Sequence, residues 1–77
     1  MKLRKINNLS PRAAVKNFRS QRHMARELGL TQQAVNKQVR LWDTHERPLP
    51  RRHHKRLAEL FPAKYCYIDG QLYAVVA

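Results

Sequence analysis

Apolar residues recur along this chain in short bursts, separated by residues that start or stop helices. Ser10-Pro11 puts a hydroxyl acceptor before a proline, the order of an N-cap and first helical residue. Ala14, Val15 and Phe18 follow at helical spacing, which predicts a helix from about Pro11 to Phe18. Ser20 is a second N-cap. Behind it Met24, Ala25 and Leu28 share one helix face, and Gly29 stands where a left-handed stop is cheapest. Leu30 is expected to point inward. Thr31 caps a third helix, about Gln32 to Leu41, with Val35, Val39 and Trp42 as its inward stripe. Residues from Asp43 to Pro50 break the pattern, because Pro48-Leu49-Pro50 cannot continue a helix. Pro50 then opens a fourth helix, Arg51 to Leu60, with Leu57, Leu60 and Phe61 inward and Pro62 ending it.

The period changes after Pro62. Tyr65-Cys66-Tyr67-Ile68 and Gln71 to Val76 are β-prone runs flanking Asp69-Gly70, and Asp-Gly suits the positive φ of a type I′ hairpin turn. Pairing across that turn sets Ile68 opposite Gln71, Tyr67 opposite Leu72, Cys66 opposite Tyr73 and Tyr65 opposite Ala74. One face then holds Tyr65, Tyr67, Leu72 and Ala74. The other holds Cys66, Ile68, Tyr73 and Val75. Both are apolar, and one layer of helices covers only one. Tyr65, Tyr67, Leu72, Tyr73 and Val75 are therefore the candidate contacts to a second copy of the chain. Alternatively residues 1–6 or the stretch from Asp43 to Pro50 cover the spare face. Residues 2–6 are expected either to add a third strand or to lie as an arm on phosphates. The expected fold class is α+β: about four helices, a helix-turn-helix over about 21–41, a basic helix over about 51–61, and an antiparallel hairpin over about 65–76, all in one domain of 77 residues.

Charge narrows the partner. Sixteen Lys and Arg face five Asp and Glu, a net charge of +11, and all sixteen cations precede Tyr65. This balance asks for an anionic polymer or surface. A chain this short has few side chains to spare for a deep pocket, so an enzyme, a cofactor and a small-molecule ligand are not expected. One Cys makes no internal disulfide. No apolar run is long enough to span a bilayer, and the basic N-terminal residues lack the apolar stretch of a secretory signal, so the expected location is the cytoplasm.

The chemistry lies between Gln21 and Arg40. Small Ala25 sits where two helices would cross, Gly29 allows the turn, and Val35 and Val39 would hold the second helix against the first. The outer face of that helix shows Gln32, Gln33, Asn36, Lys37 and Arg40. Amides and cations are the groups that read base edges: Gln or Asn bidentate to adenine, Lys or Arg to guanine. A helix-turn-helix places its second helix in the major groove in this way. The plainer reading is a helical hairpin with a solvated polar face. Spacing, caps and charge together favour base contact by these five residues. Arg19 and Arg22 near the second helix start, with Arg51 and Arg52 on the basic helix, are candidate phosphate contacts.

The run Gly29-Leu30-Thr31-Gln32-Gln33-Ala34-Val35-Asn36-Lys37 resembles the helix-turn-helix of the small phage Cro repressors and, more loosely, plasmid KorA-type repressors. Phe18 followed by Gln21 fits the Cro entry into helix two, and Ile68-Asp69-Gly70-Gln71-Leu72-Tyr73-Ala74 resembles the lambda-type hairpin. The resemblance covers about residues 13–41 and, more thinly, 65–76. It implies an α+β dimer that represses transcription at a near-palindromic operator. It also implies that Gln32, Gln33, Asn36 and Lys37 face bases, and that Gln21 and Thr31 face phosphates. Residues 43–63 depart from the lambda type, which has only a short connection there. Gln38 occupies a position more often apolar or small.

His23, His45, His53, His54 and Cys66 lack the spacing of a metal site, since adjacent histidines on a helix point about 100° apart. They are expected to be solvated or near phosphates. The run from Arg51 to Arg56 could lie on a membrane surface but lacks a wide apolar face. Trp42 and Leu41 read as core at a helix end. Two other function classes compete with the repressor: an antitoxin-like module whose apolar tail holds a different protein, and a small basic RNA-binding protein.

Overall fold

The computed structural model describes residues 2–76. It is α+β: among the described residues there are four α-helices and a three-stranded antiparallel sheet. In chain order these are β1 (Lys2–Ile6), α1 (Pro11–Val15), α2 (Gln21–Leu28), α3 (Gln32–His45), a 3-10 turn (Arg51–His53), α4 (His54–Leu60), β2 (Tyr65–Ile68) and β3 (Gln71–Val76). The chain forms two compact units, residues 8–49 and residues 1–7 with 50–77.

The helical unit is built from local capping chemistry. Ser10 Oγ accepts from Ala13 N–H at 3.2 Å, Ser20 Oγ from His23 N–H at 3.1 Å, and Thr31 Oγ1 from Ala34 N–H at 3.1 Å. Each hydroxyl satisfies an amide that the first helical turn leaves without a carbonyl. Gly29 ends α2 at φ +70°, and Leu30 N–H reaches back to Ala25 C=O at 2.8 Å. Ala14, Phe18, Met24, Ala25, Val35 and Val39 are buried between the three helices. Leu9 and Leu49 close the unit: Leu49 N–H donates to Leu9 C=O at 2.8 Å, and both side chains are buried.

Two boundaries differ from expectation. The first helix stops at Val15, and Asn17 and Phe18 N–H turn back to Ala14 and Val15 in a tighter final turn. The third helix continues to His45, one turn beyond Leu41, because no breaker occurs before Pro48. Its cap is Glu46, at φ 53°. Trp42 and Leu41 are therefore half-buried residues inside α3 rather than core at its end. Leu30 is likewise half-buried.

In the second unit β3 is central, with β1 on one side and β2 on the other. The hairpin register is Tyr65 opposite Ala74, Cys66 opposite Tyr73, Tyr67 opposite Leu72 and Ile68 opposite Gln71, with Asp69 at φ 48° and Gly70 at φ 77°. Both turn residues thus have the positive φ of a type I′ turn. Residues 2–6 take the strand alternative, with Leu3 opposite Val75 and Ile6 opposite Leu72. Gln71 Nε2 adds a bond to Ile6 C=O at 2.7 Å. α4 lies against β2 and β3, and Leu57 and Leu72 are fully buried. The basic helix is split: Arg51–His53 is a 3-10 turn, and only His54–Leu60 is α-helical.

Candidate nucleic-acid interface

Packing of Met24, Ala25, Val35 and Val39 settles which way α3 faces. With Val35 and Val39 inward, Gln32, Gln33, Asn36, Lys37 and Arg40 all fall on the outer side, where each is exposed. The same five side chains line one open concavity of the helical unit. Three amides and two cations therefore share one surface, with no apolar residue among them. Gln38 turns off this face. It is half-buried, and its Oε1 is enclosed with no hydrogen-bond partner among the described residues.

Gln21, the first residue of α2, touches this face. Asn36 Nδ2 donates to Gln21 Oε1 at 3.3 Å. Thr31 is exposed, and its Oγ1 lone pair is occupied by capping α3, which leaves its O–H proton free to donate outward. Arg19 and Arg22 are exposed beside the N-terminus of α2, and with Ser20, His23 and Arg26 they line a second concavity. Arg26 was missed in the sequence, whereas His23 was expected to be solvated or near phosphates. Arg26 stands four residues after Arg22, so helical spacing alone would have grouped them. His23 is held in place rather than free: its Nδ1 accepts from Arg19 N–H at 3.4 Å, and its ring meets Phe18 edge-on at 5.5 Å between centroids.

A second unforeseen contact is the fork between Arg12 on α1 and Asp43 near the end of α3. Arg12 Nε donates to Asp43 Oδ1 at 3.1 Å, and Nη2 donates to Oδ2. The hydrogen bonds from Arg12 hold the Asp43 carboxyl below its usual range, and the same bonds raise Arg12. Arg12 is thus spent on bracing the extra turn of α3.

Arg51 and Arg52 belong to the other unit and are exposed. The histidines beside them are not solvated as expected. His53 is 7% exposed and His54 4%. Burial, then the Arg52 cation and His54, push His53 below its ordinary value. Both histidines stand where the 3-10 turn passes into α4, His53 as its last residue and His54 as the first of the helix. His23 is half-buried, and only His45 is exposed.

The sheet divides the five expected interface residues. Leu72 is 1% exposed in the single chain, so it is core and not a contact surface. Its face is the one the unit covers, and it stands second in the central strand, between Ile6 of β1 and Tyr67 of β2. Tyr65, Tyr67 and Val75 are half-buried and line a groove beside α4, with Lys55, Ala58, Glu59 and Pro62. Tyr73 is half-buried on the face opposite Leu72, which by register also carries Val75, Lys5, Leu3 and Ile68, the last two 42% and 44% exposed. No described group of His, Cys, Asp and Glu could hold a metal ion, and no helix of the described residues is long and apolar enough to cross a membrane.

Comparison of the chain with protein families, with characterised proteins and with solved structures finds no match.

Proposed function

We propose that this protein is a Cro-like transcriptional repressor of the cytoplasm: a homodimer that reads a palindromic operator in double-stranded DNA with α3 in the major groove. The observation that carries this reading is the outer face of α3, where Gln32, Gln33, Asn36, Lys37 and Arg40 stand exposed on a helix braced from behind by α1 and α2. Amides pair with adenine and cations with guanine, and each good bidentate contact discriminates by about 1–3 kcal/mol. Arg19, Arg22, Arg51 and Arg52, with Gln21 and Thr31, supply phosphate contacts that fix register without reading sequence.

One α3 covers only a few base pairs. Two copies about 34 Å apart would reach successive major grooves on one side of the duplex. The sheet face bearing Leu3, Ile68, Tyr73 and Val75, with Lys5 and Gln71 beside them, leaves Leu3 and Ile68 exposed in the single chain, which supports pairing of two copies through the strands. The protein then acts by occupancy, excluding polymerase from the operator, and needs no catalytic group or cofactor.

A random-sequence duplex library tests the reading. Wild-type protein should select a palindrome. Asn36→Ala and Lys37→Ala should each relax it at particular positions. Arg51→Ala or Arg52→Ala should weaken all duplexes alike and flatten the salt dependence. Selection of no duplex sequence, together with preference for single-stranded RNA or monomeric behaviour until a foreign protein binds, would overturn it.

A further inference from the structure

The sheet has two edges of opposite chemistry. Its order β1-β3-β2 leaves β1 and β2 each open on one side. β1 is Lys2-Leu3-Arg4-Lys5-Ile6, with Lys2, Arg4 and Lys5 all exposed, and cations on an edge strand keep other strands off it. β2 is Tyr65-Cys66-Tyr67-Ile68 and carries no charge. We infer that a second copy of this chain joins at the edge of β2, the two β2 strands pairing antiparallel about a two-fold axis at Tyr67; this rests on the reading of the protein as a homodimer.

Backbone geometry decides which groups are open to a partner. Val75 N–H donates to Lys64 C=O at 2.9 Å, so the alternation of an antiparallel ladder turns the backbone groups of Cys66 and Ile68 toward β3 and those of Tyr65 and Tyr67 away from it. Tyr65 N–H is already engaged, donating to Phe61 C=O at 2.9 Å. Tyr67 keeps both an N–H and a C=O on the open side of β2. A two-fold axis at Tyr67 lets two copies exchange both bonds at that one residue, each N–H donating to the other's C=O. The neighbouring register, Tyr65 opposite Tyr67, would call on the Tyr65 N–H that Phe61 holds.

Side chains fit the same register. Directly opposite residues share a face, so two Tyr67 rings would adjoin on the face that packs against α4, where Ala58 and Pro62 line the same groove. On the other face Ile68, 44% exposed, would lie opposite Cys66 of the second copy. Antiparallel order also sets Asp69, just past one end of β2, near Lys64 of the second copy, just before the other end. Every Lys and Arg precedes Tyr65, and Asp69 is the lone acid after it. Residues 65–77 are therefore the longest cation-free stretch of a chain of net charge +11, where a copy of itself meets the least repulsion.

The free chain tests this without DNA. Sedimentation equilibrium of wild type should show monomer and dimer exchanging across micromolar concentrations. Tyr67→Pro removes the outward N–H and leaves the bonds to β3 in place, so it should raise the dissociation constant about 100-fold. On β1 the same alternation turns the Lys5 N–H outward, and Lys5→Pro should leave dissociation unchanged. Asp69→Asn, which still suits the turn, should raise the constant about 2- to 5-fold at low salt and not at high salt. Thermal melts establish that each variant folds. In a dimer mixing isotope-labelled and unlabelled copies of wild type, a filtered nuclear Overhauser spectrum should connect Cys66 Hα with Ile68 Hα of the other copy, which reads the register even if a proline variant does not fold. A wild type monomeric in solution, a dimer without that Hα contact, or a folded Tyr67→Pro that stays dimeric overturns the inference. Selection of a palindrome from the duplex library by that same wild type leaves the homodimer reading standing. A chain that is monomeric in solution and selects no palindrome removes both together.

Discussion

The two units carry almost the same charge and have very different surfaces. Residues 8–49 hold eight Lys and Arg against three Asp and Glu, and the strand-bearing unit holds eight against two. Charge alone therefore does not say which unit reads a nucleic acid. In the helical unit cations stand among amides on an ordered helix face. In the strand-bearing unit they lie on the edge strand β1 and on a short helix, in a unit whose exposed large apolar residues are Leu3, Ile68 and Val76. The lesson is that net charge names the class of partner, and the arrangement of neutral polar groups names what can be discriminated.

The units also differ in what holds them. The helical unit has three side-chain caps and two left-handed helix ends, all made within a few residues. The strand-bearing unit depends on β1 meeting β3 across about seventy positions of sequence. Substitutions should separate these two kinds of stability in denaturant unfolding. The largest loss is expected from Leu57→Ala or Leu72→Ala, about 2–5 kcal/mol each, because both side chains are fully buried and each leaves a cavity. A loss below about 1 kcal/mol at both would mean that the sheet unit contributes little to stability.

Gly29→Ala comes next. A Cβ there meets nothing within 4 Å, so the cost is the positive φ alone, about 1–2 kcal/mol. Gln38→Met should act in the opposite direction. It replaces an enclosed, unpartnered Oε1 with an apolar group of similar length and should raise stability by about 1 kcal/mol. Thr31→Ala removes the cap of α3 and should cost about 1 kcal/mol, with the loss visible in the helical signal before the near-ultraviolet signal of the hairpin tyrosines.

The smallest effect is titration of His53. Its folded pKa lies below the unfolded value of 6.5, so the folded state binds the proton less well than the unfolded chain does. Its contribution is present above about pH 6.5 and is lost as pH falls through the lowered folded value. Unfolding measured across pH 5–7.5 should show this slope in wild type and lose part of it in His53→Gln. An unchanged slope would place the acid sensitivity elsewhere.

Helix starts, helix stops and the hairpin were legible because their causes are close in sequence. Ser10, Ser20 and Thr31 cap the amides three residues on, and Gly29 and Asp69-Gly70 supply backbone conformations that few other residues adopt cheaply. The register of β2 on β3 followed from the turn alone. The α3 outer face was legible too, since Val35 and Val39 orient the helix. Other features were not. Helical periodicity runs out at Trp42, and the further turn to His45 is braced by Arg12, thirty-one residues away. The burial of His53 and His54 contradicts their polarity, and the 3-10 turn they adjoin has no sequence signature of its own.

By itself, then, the amino-acid order determined the local frame: where helices begin and end, how the hairpin pairs, and which polar residues share a side of α3. Short-range hydrogen bonds and φ preferences decide those matters whatever the rest of the chain does. Tertiary structure decided the rest. It paired residues 2–6 with β3, drew Leu72 and two histidines into the interior, and brought Gln21 within hydrogen-bond reach of Asn36. Those outcomes depend on which distant surfaces exclude water together, and no window of neighbouring residues contains that information.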